Sequence, residues 1–443
     1  MDTMDVMETT EPAWPEPGVK LMSTIEPVGA DEDVQVSAVP VFIGWWQGAG
    51  QAALRLYNAS MAVNLPAGVL RDTIKQYFDN GGERAFVLSW AAPEPANKAS
   101  FQALQTWWKK RLQNDLTPIL SEPSITLVVV PQLVPCIESL VPFPHVDDQI
   151  TNDQVADALI ESWRLLLSAV HASRSDLFFV LDAPNQPKVA KHCIDVLRKK
   201  QPLGELGQHA ALYGPHLVTD YRSSNKAGLK EPASRLYGEY WVVPPCGAVL
   251  GVIARTDREV GVWKAPANEA LSHVLQPQYL ETQASGWFDV SRASINLIRS
   301  FPGRGTRVWG CRTLSGEAGS PFRYVQVRRL VTWIEANLRE RCRFAVFEPN
   351  HEVTWFQLRG LCSAWLRQLW LEGGLAGADE TSAYSVHVGL NETMTQVDID
   401  AGRLIISVAV AVLHAAERIE IKLVLKLGDT TAAGTETVRG ALA

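Results

Sequence analysis

LFFVLDAPNQPKVAKHCIDVLRKK, residues 177–200, decides the fold class of this chain. LFFVLDAP (177–184) is a short, unbroken apolar run ending in a turn, the mark of a strand buried on both faces. KVAKHCIDVLRKK (188–200) reads as a helix. The same alternation continues on either side. RAFVLSW (84–90) is a short apolar strand. SFQALQTWWKKRLQNDL (100–116) carries Phe101, Leu104, Trp108 and Leu112 at helical spacing, and ITLVVVPQL (125–133) is a second buried-type strand. Thr151 with Gln154 gives a capping-box signal. The helix opened there sets Val155, Leu159, Trp163, Leu166 and Val170 along one face. ALYGPHLV (211–218) adds one more strand. Strands alternating with amphipathic helices predict a parallel sheet with helices on its faces, an α/β fold.

The flanks have another texture. The first 18 residues, MDTMDVMETTEPAWPEPG, lack periodicity and read as a flexible arm. GVKLMSTIEPVG (18–29) and AVPVFIGWW (38–46) read as strands. Beyond residue 245, VLGVIARTDREVGVWKAPANEAL (249–271) passes from strand to loop to helix. Residues 325–342 form a helix with Val327, Val331, Ile334 and Leu338 inward, and FAVFEP (344–349) is a strand. TWFQLRGLCSAWLRQLWLEGG (354–374) is a helix with an apolar stripe (Trp355, Leu358, Cys362, Trp365, Leu369) and a polar one (Arg359, Ser363, Arg367). Its tryptophans fall on the stripe's period, which favours core over ligand cage. RIEIKLVLKL (418–427) is a period-2 strand with Ile419, Ile421, Leu423, Leu425 and Leu427 on one side.

Composition narrows the function. A chain of 443 residues with 47% hydrophobic and 20% charged residues is an ordinary globular protein of two or three domains. No apolar run reaches the roughly 18 residues that span a bilayer, so no membrane insertion is expected. The N-terminus has neither the basic nor the apolar region of a secretion signal, which predicts assembly in a cytoplasm. A net charge of −7 argues against a nucleic-acid partner. The six cysteines lie far apart, with no CxxC pair. They suggest neither a zinc site nor a disulfide framework, and are expected as reduced, mostly buried thiols. Residues 1–40 hold nine acidic residues and one basic residue, whereas residues 299–343 hold ten arginines, no lysine and three glutamates. Two solvated surfaces would explain this, as would a basic segment facing an acidic partner such as another copy of the chain.

FPGRGTRVWGCRTLSGE (301–317) resembles a phosphate-cradling loop only superficially. No Lys-Ser or Lys-Thr pair follows its glycines, and the segment runs into an apparent strand, VWGCRTL, rather than a helix. Gly303, Gly305 and Gly310 permit tight or left-handed turns, Pro302 fixes one of them, and Arg304, Arg307 and Arg312 can hold carbonyls or carboxylates by bidentate bonds. It reads as a structural loop. No catalytic, metal or cofactor-binding set emerges, so none is expected.

Several long, ordered segments carry a family resemblance. TDREVGVWKAPANEAL (256–271), GWFDVSRASINLIRSFPGRGTRVWGCRTLS (286–315), YVQVRRLVTWIEANL (324–338) and FAVFEPNHEVTW (344–355) resemble the C-terminal half of contractile tail sheath proteins. These occur in contractile phages and in phage-tail-like injection particles. VPVFIGWWQGA (39–49) resembles the family's first core strand, and HAALYGPHLV (209–218) its strand before a variable loop. The chain departs from the family in LHAAERIEIKL (413–423), where a proline is usual.

The resemblance implies an α/β protein with a core α+β domain, an inserted parallel-sheet α/β domain and extended terminal arm strands. The implied bounds are an N-terminal arm at 1–30, core at 31–64 and 246–415, insertion at 65–245, and a C-terminal arm and tail at 416–443. It implies a structural subunit of a helical sheath that surrounds an inner tube and contracts to drive it through a cell envelope. Its partners would be itself or paralogous subunits, the tube, the baseplate and terminal cap proteins. The arm strands (Val19, Leu21, Ile25; Ile419, Ile421, Leu423, Leu425, Leu427) would be donated to neighbouring subunits. Helix 354–372, through Arg359, Ser363 and Arg367, either faces the tube or is a solvated face. The particle would be assembled in a bacterial cytoplasm, as part of a phage tail or a released extracellular particle. The family's α/β region is likened to a subtilisin-type fold, which raises a hydrolase as the alternative. Asp182 and His209 or His216 are in order, but Ser223 and Ser224 sit in a polar loop without a nucleophile turn.

Overall fold

The computed structural model describes residues 36–93, 101–140, 149–222, 236–289, 291–315, 319–413 and 418–426. In chain order the strands are β1 (Pro40–Trp46), β2 (Ala53–Tyr57), β3 (Ala85–Ala91), β4 (Leu127–Val129), β5 (Phe178–Asp182), β6 (Ala210–Gly214), β7 (Leu217–Arg222) and β8 (Leu236–Tyr237). They continue as β9 (Tyr240–Val243), β10 (Glu269–Ala270), β11 (Val274–Pro277), β12 (Ile295–Phe301), β13 (Gly305–Val308), β14 (Tyr384–His387), β15 (Arg403–Ala411) and β16 (Arg418–Lys426). The long helices are α1 (Val69–Asp79), α2 (Phe101–Asn114), α3 (Gln149–His171), α4 (Pro187–Lys200), α5 (Cys246–Glu259), α6 (Val325–Arg341) and α7 (Glu352–Leu371).

Nine strands form one sheet in the order β10-β13-β12-β6-β5-β4-β1-β3-β2. Its six central strands are parallel, and antiparallel strands close both edges. The pleat sends alternate residues to opposite faces. Val41, Ile43, Leu88, Val128, Phe179 and Leu212 join the core under α2, α3 and α4. Phe42, Val87, Leu127, Val129, Val180 and Ala211 join the core under α1 and α5. This two-sided burial is why these strands read as continuous apolar runs.

The expected α/β class is therefore observed, with a different partition of the sheet. Strands β1 and β2, β3 to β6, and β10, β12 and β13 lie on both sides of the boundaries expected at 64/65 and 245/246, yet they share one sheet. Residues 36–333 form one compact unit and the described residues from 334 onward another. The second holds α7 and the antiparallel sheet β14-β15-β16.

Several local expectations are corrected. Residues 249–271 do not run from strand to helix. VLGVIARTDRE is the body of α5, and only Glu269–Ala270 is a strand. A short apolar run cannot by periodicity be told from a buried helix. The helix is fixed by Gly247 and Gly251, whose absent Cβ atoms would lie 2.0 Å from the Thr73 carbonyl oxygen and 2.5 Å from that of Tyr77. Only glycine there lets α5 approach the backbone of α1 so closely. FAVFEP is a 3₁₀ turn (Arg343–Phe347), not a strand. ALYGPHLV forms two strands, β6 and β7, divided at the cis Gly214–Pro215 bond. VWGCRTL is mostly irregular, since β13 ends at Val308. Helix α3 begins at Gln149, so Thr151 lies inside it and is not its cap. GVKLMSTIEPVG and the N-terminal arm lie outside the described residues.

Candidate functional site: strand edges, an exposed helix and a filled crevice

An open parallel sheet binds ligands beyond the carboxyl ends of its strands, where the chain's winding reverses. Here the reversal falls between β1 and β4, because β1 leads on to β3 on one side and β4 to β5 on the other. The crevice is filled from within. Gln132 accepts a hydrogen bond from Trp45 N at 2.8 Å and donates to Trp45 O at 2.9 Å, continuing the β1 ladder past the end of β4. The adjacent helix N-termini, ready-made anion sites, also meet internal carboxylates. Glu138 accepts from the backbone N–H groups of Asn185 and Gln186 at the start of α4 (2.7 and 3.4 Å). Asp182 accepts from Cys246 N at the start of α5 (2.8 Å). Burial pushes both carboxyls up to about 7, against the lowering effect of those donors.

The subtilisin-like candidates do not converge. Asp182 is turned to α5. His216 lies against the Ala183 carbonyl at 3.1 Å. The ring of His209 lies 4.5 Å from that of His171, tilted by 58°, and burial, helped by Arg328 and His171, lowers it to about 2. Ser223 and Ser224 lie outside the described residues. Among the described residues, no group of three His, Cys, Asp or Glu could hold a metal ion, and no helix is long and apolar enough to cross a membrane.

The loop at 301–310 turns the β12–β13 hairpin. Gly303 and Gly305 both take φ of 71°, the left-handed region open to glycine. Pro302, Gly303, Arg304 and Gly305 are exposed at the tip. Arg307 donates to the Asn268 carbonyl at 2.6 Å and to the Arg304 carbonyl at 3.2 Å, and Arg304 reaches Asn268 Oδ1 at 3.4 Å. Gly310 is packed so closely that a Cβ would lie 2.8 Å from Asn296 Oδ1. The arginines nearby are mostly spent inside the chain: Arg312 stacks over Tyr324 and Phe288, and Arg329 pairs with buried Asp257.

In the second unit, β16 pairs antiparallel with β15 over nine residues, from Arg403↔Lys426 to Ala411↔Arg418. It is an edge strand, with β15 as its one neighbour among the described strands. Ile419, Ile421, Leu423 and Leu425 occupy alternate register positions on it, and Leu427 lies outside the described residues, as do Val19, Leu21 and Ile25.

Helix α7 buries Thr354, Leu358, Cys362, Leu366 and Leu369. Of its expected polar stripe, Arg359 donates to the Val388 carbonyl at 2.8 Å and to Glu392, and Arg367 binds Glu380. Ser363 is half-buried. The exposed side of α7 carries large apolar residues, Val353 (59% exposed), Phe356 (67%), Leu361 (37%) and Leu371 (65%), with Gly360 and Ala364 between them and Gln357, Arg367 and Gln368 alongside. Sequence reading passed over this face because its residues are interleaved with two other stripes. Their own i, i+3 and i, i+4 spacing was the available signal.

These features define a chain with a crevice occupied by its own side chains, a nine-residue edge strand and, among the described residues, a helix with exposed apolar side chains. Residues 317–426 match the phage tail sheath C-terminal domain family. The chain is 30% identical to a chain of the anti-feeding prophage baseplate in its contracted state, with a TM-score of 0.73 over 89% of this chain and 95% of that one. It is 27% identical to one from the PVC sheath complex of an extracellular contractile injection system in the contracted state, with a TM-score of 0.61 over 92% of this chain and 96% of the other. It is 28% identical to the tail sheath protein of Enterobacteria phage T4 over 114 residues, which are 25% of this chain and only 17% of that phage protein. The chain belongs to the contractile tail sheath family, and is a structural sheath subunit.

Proposed function

We propose that copies of this chain polymerise into a helical sheath around an inner tube, and that contraction of the sheath drives the tube through a target envelope. The observation that carries the reading is the nine-pair ladder of β16 at the C-terminal end of the described chain. A neighbour's β16 could form the same ladder on β15, so the exchange costs no backbone hydrogen bonds. At roughly 0.5–1.5 kcal/mol each, the bonds make a firm link between subunits. The N-terminal arm, with Val19, Leu21 and Ile25, would add to another neighbour. Contacts of this head-to-tail kind generate a helix rather than a closed dimer. If contraction buries more surface between subunits, a few kcal/mol per subunit summed over the polymer does the work, with no cofactor and no catalytic step. The filled crevice at Gln132, Glu138 and Asp182 supports a role without chemistry.

Helix α7 would meet the tube through Phe356, Gly360 and Leu361, with Arg359, Ser363 and Arg367 setting its position. Baseplate and terminal cap proteins, and paralogous sheath subunits, complete the partner set. The hairpin loop at Pro302–Gly310 would hold the fold at a subunit contact. The domain limits read from the sequence (1–30, 31–64, 65–245, 246–415, 416–443) stand as proposed functional segments, of which only the arms move between subunits. Assembly would take place in a bacterial cytoplasm. The whole-chain likeness to injection-system proteins favours a released particle over a phage tail.

Negative-stain electron microscopy of the full-length chain beside a version ending at Ala416 tests this. Hollow striated tubes from the full chain alone support both sheath and exchange. Equal polymerisation of both would overturn the role of β16. Failure of the full chain to polymerise even with tube and baseplate proteins co-expressed would overturn the sheath reading for this chain.

A further inference from the structure

Cys342 and Cys362 are both fully buried, and their sulfurs lie 3.5 Å apart. Cys342 follows the last turn of α6, held by its N–H to the Leu338 carbonyl at 2.9 Å, and Cys362 sits at the middle of α7. The two are twenty residues apart in sequence. The other four cysteines make no such contact among the described residues. Two have their sulfurs in different surroundings, Cys193 on the buried face of α4 and Cys246 beside Asp182.

We propose that Cys342 and Cys362 are a disulfide site, reduced when the chain folds and closed when it meets an oxidising medium. The inference rests on this pair and not on the sheath reading. A disulfide needs the sulfurs at about 2.05 Å, so closure asks the two side chains to approach by ~1.5 Å. The sulfurs are already at van der Waals contact, so the approach required is short. With oxidised glutathione as the oxidant, the thiolate of one cysteine attacks the glutathione disulfide and releases one reduced glutathione. The second cysteine then displaces the other glutathione from the mixed disulfide. Two protein thiols lose two protons and two electrons, and one glutathione disulfide takes them up to become two thiols. The reaction is gated. The hydrogen bond to Cys362, together with burial, holds the Cys342 thiol well above the usual thiol range, so thiolate appears only on local opening. Such gating suits a bond that forms slowly after folding. Once formed, it ties the end of α6 to α7 within the unit that carries the β14-β15-β16 sheet.

The test uses the purified full-length chain, equilibrated in glutathione mixtures from reducing to oxidising, then alkylated, digested and read by mass spectrometry. A linked pair of peptides carrying Cys342 and Cys362, growing with oxidising poise and faster in mild urea, is the expected result. Cys193 and Cys246 should stay as thiols. The oxidised protein should melt several degrees above the same protein reduced, since the bond closes a loop of twenty residues. Cys342→Ala and Cys362→Ala should each abolish the link. Should either fail to fold, the native chain's own oxidised-against-reduced comparison still decides. Two free thiols at the most oxidising poise in mild urea, a link to any other cysteine or only to glutathione, or a lower melting point on oxidation would each overturn the proposal.

Discussion

Arg329 on α6 grips Asp257 on α5 with both terminal guanidinium nitrogens, Nη1 to Oδ1 at 3.0 Å and Nη2 to Oδ2 at 2.5 Å, and both side chains are 4% exposed. The same Nη2 donates to the Ser37 carbonyl at 2.7 Å, so one cation joins two helices to the segment that enters β1. Removing one partner of such a pair leaves a buried charge uncompensated, at a cost of about 3–5 kcal/mol. Asp257→Ala should lower the urea midpoint accordingly. The double variant Asp257→Leu/Arg329→Met should recover much of the loss, and no recovery would mean that the contact to Ser37 dominates.

Glu138 and Asp182 give stability a pH dependence of definite sign. Asp182 is buried, and the carboxyl of Glu138 is enclosed although the residue as a whole is half-buried. Both titrate near 7 in the folded chain, above the ordinary carboxylate range near 4. Between those values the folded protein keeps protons that the unfolded chain has released. Their contribution is therefore complete below about pH 4 and is lost as pH rises to about 7. Asp182→Asn and Glu138→Gln preserve the accepting oxygen and remove the titration. Each should flatten that fall in urea midpoint from pH 5 to 8 and be more stable than the native chain at pH 8.

His209 acts in the opposite sense. Its folded value near 2 lies below the ordinary 6.5, so the unfolded chain takes up a proton that the folded one refuses. Its contribution is present above about pH 6.5 and is lost progressively as pH falls. His209→Gln should reduce acid destabilisation below pH 6 with little change at pH 8, as read from thermal melts across that range. A variant that shifts all pH values equally would show that packing against His171 matters more than titration.

On α7 the exposed apolar face and the paired arginines make separable predictions. Phe356→Asp changes a mostly exposed side chain and should leave the unfolding free energy within about 0.5 kcal/mol of native, yet should abolish co-sedimentation with assembled tube. Arg359→Ala, which breaks the link to Glu392 and the Val388 carbonyl, should lower stability. Unchanged tube binding by Phe356→Asp would remove this face from the contact.

The α/β class was legible because each buried strand is a short apolar run and each covering helix repeats its apolar residues near 3.6. Residues 177–200 alone show both. The bounds of α2, α4, β1, β3 and β5 fall within two residues of those expected from the sequence. Where periodicity is silent, reading failed: VLGVIA is as good a strand as a helix until Gly247 and Gly251 are seen against α1.

What the sequence by itself determined was therefore local: element type, turn positions, the period-2 strand at 418–426 and the long motifs that mark the sheath family. Tertiary structure alone decided the partners. It set β1 between β4 and β3 and so drew strands from three sequence segments into one sheet. It spent Arg359 and Arg367 on Glu392 and Glu380, and left Phe356 uncovered. It also brought Cys342 against Cys362. Periodicity records which face of an element is apolar, because burial acts on each residue separately. It carries no record of what that face meets, because contact is a property of two segments and of the path that folds one onto the other.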